Sequence, residues 1–177
     1  ELNEEKILLL SGPNAGGKTV VLKSLGLYAL MAQCGLFIPA NKAQFPVYTK
    51  FMADIGDRQS IEDDLSTFSA HIQNLATIVE QANENTLILL DELGTGTDPD
   101  AGAALSRAIM ESLIQKNCTV IATTHLGALK VWASDEKGII NGGMIFNSEA
   151  LAPTYELQLG TPGASYALEI SKRMGLS

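Results

Sequence analysis

Gly12-Pro13-Asn14-Ala15-Gly16-Gly17-Lys18-Thr19 follows directly on the apolar run Ile7-Leu8-Leu9-Leu10, and no other feature constrains the chain as much. A G-x-x-x-x-G-K-[ST] segment placed between a strand and a helix has a mechanism behind its residue types. Glycines let the backbone curl until successive N–H groups face a common centre, where they can hold phosphate oxygens. Lys18 reaches the outer phosphates, Thr19 offers a hydroxyl to Mg²⁺, and a helix opening near Lys18 adds its positive end. The pattern implies a nucleoside triphosphate site and an α/β fold around it.

The rest of the chain is consistent with that architecture. Val21, Leu22, Leu25, Leu27, Leu30 and Met31 recur with helical spacing from Lys18 to about Gln33, and Gly35 is a natural stop. A looser stretch holding Pro39, Pro46, Val47 and Phe51-Met52 reads as short strands and turns. Phe68, Ile72, Leu75, Ile78 and Val79 define a second amphipathic helix from Ser66 to Asn83, and Thr86–Leu90 is a short apolar strand. Ala101–Lys116 reads as the next helix and Thr119–Thr124 as a strand rich in β-branched residues. Ile139-Ile140, Met144–Phe146 and Thr154–Leu159 read as later strands, the last two as a hairpin, and Ser165–Met174 as a closing helix. Such alternation implies a largely parallel sheet with helices on both faces and ligands at the C-terminal strand ends.

The 177 residues are one domain's worth of chain, and 46% of them are hydrophobic, enough for a substantial core. A formal net charge of -8 argues against a broad basic surface, so any grip on DNA or RNA is expected in regions outside this chain. No apolar run has the length of a membrane span, and the first residues lack the pattern of a signal peptide, which points to the cytoplasm and to no membrane partner. The chain begins with Glu1 and reads as a piece of a longer polypeptide. Cys34 and Cys118 lack paired spacing and are expected to be buried, reduced thiols.

A second constellation complements the loop. Leu87-Ile88-Leu89-Leu90 ends in Asp91-Glu92, so a buried strand delivers Asp91 to hold Mg²⁺ opposite Thr19. Glu92, one residue further, is the candidate general base that orients or deprotonates the attacking water. His125 follows the strand Thr119–Thr124, where a neutral imidazole can hydrogen-bond the γ-phosphate or that water, although capping a helix is the plainer role for such a histidine. His71 falls inside the second helix and reads as an ordinary surface residue.

Together GPNAGGKT at Gly12–Thr19, Ser66-Thr67-Phe68 before a helix, Asp91-Glu92-Leu93-Gly94-Thr95-Gly96-Thr97 and Thr123-Thr124-His125 resemble the ATPase domain of the MutS family. The resemblance spans nearly the whole chain. Gly94–Pro99 followed by Gly102-Ala103-Ala104-Leu105 is more similar to the second bacterial MutS paralogue than to the mismatch-repair branch. The resemblance implies an ABC-type, Mg²⁺-dependent ATPase that works as a homodimer, with each ATP held between two subunits and Ser66 reaching the γ-phosphate bound by the other. It also implies that Gly94–Asp98 lies at the dimer interface, that Asn14 belongs to the nucleotide motif, and that adenine contacts come from upstream of this chain. In the full-length protein it implies branched DNA or a stalled ribosome as partner, and any nuclease activity in a separate module. On the residues alone, Ser66 could equally be a helix N-cap, and Thr97 or Asp98 could cap the helix at Pro99.

A small-molecule kinase would share the loop and the sheet, but usually needs several arginines around the transferring phosphate, and this chain has only Arg58, Arg107 and Arg173. A nucleotide-gated assembly module with incidental hydrolysis is the non-enzymatic alternative. Glu92 favours turnover.

Overall fold

A computed structural model describes residues 5–13, 16–56, 64–147 and 152–163, without the side chains of residues 64–67. Its elements are β1 (Ile7–Ser11), α1 (Lys18–Gln33), β2 (Lys50–Asp54), α2 (Asp64–Gln81), β3 (Thr86–Leu90), α3 (Pro99–Gln115), β4 (Thr119–Thr123), α4 (Gly127–Asp135), β5 (Ile139–Asn147) and β6 (Ala152–Leu159). The six strands form one sheet in the order β2-β3-β4-β1-β5-β6. Every pairing is parallel except β5 with β6, which is antiparallel.

Strand β1 shows why the sheet must be covered twice. Its side chains alternate, so Ile7 and Leu9 enter a core with Leu75, Ile78, Met110, Leu113 and Leu129, contributed by α2, α3 and α4. Leu8 and Leu10 enter a second core with Leu22 and Ala29 of α1 and with Tyr48. A strand buried on both faces reads as an unbroken apolar run. Because the strands are parallel, the segments that leave their C-terminal ends after Ser11, Asp54, Leu90 and Thr123 gather along one edge of the sheet.

Several local features differ from the sequence expectations. Ile139-Ile140 and Met144–Phe146 belong to one strand, with a register irregularity between Met144 and Phe146. The intervening Gly142 and Gly143 allow close approach: a Cβ on Gly143 would lie 2.9 Å from the Thr161 carbonyl oxygen. Helix α4 was not anticipated, although Leu126, Leu129 and Ala133 are buried at helical spacing. The region around Pro39 and Pro46 contributes no strand before Lys50. Cys118 is buried as expected, whereas Cys34 is exposed because it caps the end of α1, where the helix leaves the sheet. The expected helix Ser165–Met174 lies outside the described residues.

Candidate functional site

The loop after β1 is shaped by its glycines. Gly12 has φ 138° and Gly17, the N-cap of α1, has φ 87°, a conformation that L side chains rarely adopt. Gly16 N–H donates to the Pro13 carbonyl at 2.9 Å, closing the turn. Asn14 and Ala15 lie outside the described residues.

Lys18, the first residue of α1, is 5% exposed and donates from Nζ to the carbonyls of Gly12 at 2.8 Å and Pro13 at 2.9 Å. The loop thus curls around its own lysine. Burial pushes the Lys18 pKa below the ordinary lysine value, opposed by the charges of Glu92 and Asp91 and assisted by that of Lys130. Burial also lowers Lys130, which lies in α4 and donates to the Gly163 carbonyl at 3.3 Å. Gly163 N–H in turn donates to the buried Ser11 Oγ at 2.8 Å, which ties the segment after β6 to the start of the loop.

Thr19 and Asp91, 72 residues apart in sequence, meet here: Thr19 Oγ1 donates to Asp91 Oδ1 at 3.2 Å. Asp91 is 6% exposed and its N–H donates to the Asp54 carbonyl at 2.9 Å, so β2 continues to support the chain just beyond β3. Glu92 is half-buried and has φ 51°, unusual for a residue with a Cβ. The hydroxyl of Thr123, the last residue of β4, donates to Asp91 Oδ1 at 2.6 Å and accepts from Glu92 N–H at 2.8 Å. The Thr123 carbonyl accepts from Leu93 N–H at 2.8 Å.

A divalent cation fits this donor set. No group of three or more His, Cys, Asp or Glu suited to a metal occurs among the described residues. Mg²⁺, however, is commonly held by one or two protein oxygens together with substrate phosphates and water. The adjoining oxygens of Thr19 and Asp91, facing a loop built around a lysine, meet that requirement.

The remaining expected site residues sit on the same edge. His125 is exposed in the turn between β4 and α4. Ser66 falls in the first described turn of α2, two residues past Asp64. Its side chain lies outside the described residues. Asp98 is the cap of α3, accepting from Asp100 N–H at 3.0 Å and Ala101 N–H at 3.1 Å, with Pro99 at the first helical position. Between Glu92 and that cap, Gly94 packs so close to Gly102 that a Cβ on Gly102 would collide with the Gly94 carbonyl oxygen.

Two residues depart from the sequence reading. His71 is not a surface residue: it is 7% exposed, with Nδ1 2.7 Å from Asp54 Oδ2. Asn74 Nδ2 donates to the other oxygen of Asp54 at 2.9 Å, so α2 is pinned to the end of β2 beside Asp91. No periodicity shows this, because the partner belongs to another element. Tyr155 was also missed. It has φ 58° and is 61% exposed, and a Cβ on Gly17 would lie 2.8 Å from its ring.

Comparison with known proteins places these features in context. Residues 8–177 match the family model described as MutS domain V. The chain is 53% identical to the endonuclease MutS2 of Thermus thermophilus over 173 residues, which are 98% of this chain and 23% of that protein. It is 52% identical to the putative endonuclease MutS2 of Bacillus subtilis over 170 residues, 96% of this chain and 22% of that protein. A third relative, the endonuclease MutS2 of Ruminiclostridium cellulolyticum, is 53% identical over 171 residues, again 96% of this chain and 22% of the other. The chain therefore spans less than a quarter of the length of each.

Proposed function

This chain belongs to the MutS family, as a domain V, and we propose that it binds ATP with Mg²⁺ on the Gly12–Thr19 loop and hydrolyses it to drive closure of a dimer. The single observation that carries the reading is the 3.2 Å approach of Thr19 Oγ1 to Asp91 Oδ1. It joins the loop after β1 to the acids after β3, the two halves that phosphoryl chemistry requires.

In this reading Gly12, Pro13, Asn14, Ala15, Gly16, Gly17, Lys18 and Thr19 wrap the phosphates, with Lys18 exchanging its loop carbonyls for phosphate oxygens. Thr19 and Asp91 would hold Mg²⁺, which would supply positive charge against that developing on the phosphates. Glu92 takes the proton of the attacking water, and His125, exposed at the same edge, hydrogen-bonds the γ-phosphate or that water. Tyr155 offers an aromatic face beside Gly17 against which a base can stack. Ser66 and the segment Gly94–Asp98 act across the dimer, so that each ATP lies between two subunits.

The names of the relatives support the MutS2 branch over the mismatch-repair branch. The endonuclease function in those names belongs to proteins more than four times as long, and we assign it to regions outside this chain. Contacts with branched DNA or a stalled ribosome are assigned there too, because a net charge of -8 disfavours phosphate-backbone binding. A kinase reading is disfavoured by Arg107 of α3, which pairs with Glu111 at 2.7 Å and lies over the Trp132 ring of α4.

Paired substitutions in the full natural protein test the reading. Lys18→Ala should weaken ATP binding, whereas Glu92→Gln should retain binding and lose about 10² to 10⁴-fold in hydrolysis. Wild-type turnover by Glu92→Gln would remove Glu92 from the role of base, and undiminished ATP binding by Lys18→Ala would remove the loop as the nucleotide site.

A further inference from the structure

Thr123 occupies a position that neither the loop nor the acids explain. It is fully buried at the end of β4, and its single hydroxyl proton is committed to Asp91 Oδ1 at 2.6 Å, the short distance of a hydrogen bond to a charged oxygen. The lone pairs of the same oxygen accept the Glu92 N–H at 2.8 Å, and the Thr123 carbonyl accepts the Leu93 N–H at 2.8 Å. Two consecutive N–H groups are thus captured by one residue where Glu92 adopts φ 51°. A residue with a Cβ persists in such a conformation only when its surroundings over-determine it.

We propose that Thr123 is a positioning residue for hydrolysis: its hydroxyl fixes the Asp91 carboxylate toward the Mg²⁺ site and, through the Glu92 N–H, holds Glu92 in the left-handed conformation that aims its carboxylate at the water. The inference rests on the nucleotide-hydrolysis reading above. A hydrophobic side chain of the same shape would fill the site equally well, so packing accounts for the residue's burial but not for a hydroxyl there. The hydroxyl instead lies between the metal ligand and the base, where partners behind a metal ligand orient it and tune its affinity.

The test uses the full natural protein with Thr123→Val, which keeps shape and β-propensity but no hydroxyl, and Thr123→Ser, which restores the hydroxyl alone. ATP affinity is measured without divalent ions, Mn²⁺ affinity of the ATP complex is measured by electron paramagnetic resonance, and steady-state hydrolysis is measured alongside Glu92→Gln. Thr123→Val should keep metal-free ATP affinity within about twofold while Mn²⁺ affinity and kcat each fall about tenfold or more. Thr123→Ser should recover most of both losses. Should valine prevent folding, Thr123→Ala, compared with Thr123→Ser, gives the same contrast. Wild-type kcat and Mn²⁺ affinity in a folded variant without the hydroxyl, with Glu92→Gln inactive, overturns the role of Thr123. An unimpaired Glu92→Gln instead overturns the hydrolysis reading beneath it.

Discussion

Lys18 carries a cation in a place that withholds water from it. Its Nζ lies on two loop carbonyls, and burial lowers its pKa despite the attraction of Glu92 and Asp91. Between this lowered value and the ordinary one, the unfolded chain holds the proton and the folded chain does not, so the contribution of this group to stability rises with pH across that window. Below the window the buried charge carries a constant cost. Triphosphate charge acts in the opposite direction, raising the pKa of a lysine that it touches. Binding at alkaline pH should therefore take up a proton, and affinity should fall as pH rises through the lowered Lys18 value. Calorimetric titration in two buffers of different ionisation enthalpy measures the uptake directly. Lys18→Arg, whose charge does not titrate in this range, should show none, and identical heats for the wild type in both buffers would contradict the assignment.

Among the elements, α2 depends most on a contact that its own sequence does not announce. Its apolar residues Leu75 and Ile78 pack on the sheet, yet its position beside the C-terminal end of β2 is set by His71 and Asn74 on the Asp54 carboxylate. Asp54 also accepts the Asp91 N–H through its backbone, so one residue at the end of β2 holds both α2 and the chain just beyond β3. Further toward its start, α2 places Phe68 against Gly96, in the segment that follows Glu92. Removing a partner from a carboxylate with a side chain only 13% exposed should be costly. His71→Ala should lose about 1–3 kcal/mol of stability. His71→Asn, which keeps an N–H donor near the Nδ1 position, should lose much less. Urea denaturation of the two variants compares them, and equal losses would mean that His71 contributes packing alone.

At the scale of the whole molecule, the candidate site residues gather along one edge of the sheet. Lys18, Thr19, Asp91, Glu92 and His125 all follow the C-terminal ends of parallel strands, and the start of α2 with Ser66 lies at the same edge. Among the described residues no helix is long and apolar enough to cross a membrane. In the proposed dimer, the triphosphate loop of one subunit and the α2 start of the other would form two composite sites. Mixing a Lys18→Ala subunit with a Ser66→Ala subunit of the full natural protein should then restore one working site, with each variant alone nearly inactive. Activity that stays absent in a demonstrated heterodimer would place Ser66 outside the partner's site.

The sequence by itself determined the largely parallel α/β architecture and which polar residues follow the C-terminal strand ends. Those features rest on local signals: an apolar run buried on both faces, glycines at a turn, and acids at a strand end each leave a mark within a few neighbouring residues. The lengths of α1 and β3 followed from the same signals, which also offered Thr97 or Asp98 as the cap of α3; the structure selects Asp98. Tertiary structure alone decided what depends on partners distant in the chain. His71 reads as a surface position until Asp54 arrives from β2, and Tyr155 is an ordinary strand residue until its ring meets Gly17. Thr123 looks like any β-branched residue until its hydroxyl finds Asp91 and the Glu92 N–H, 32 and 31 positions away in the chain. Periodicity records which face of an element is apolar, whereas a polar side chain becomes buried and directed only when another element supplies its hydrogen-bond partner.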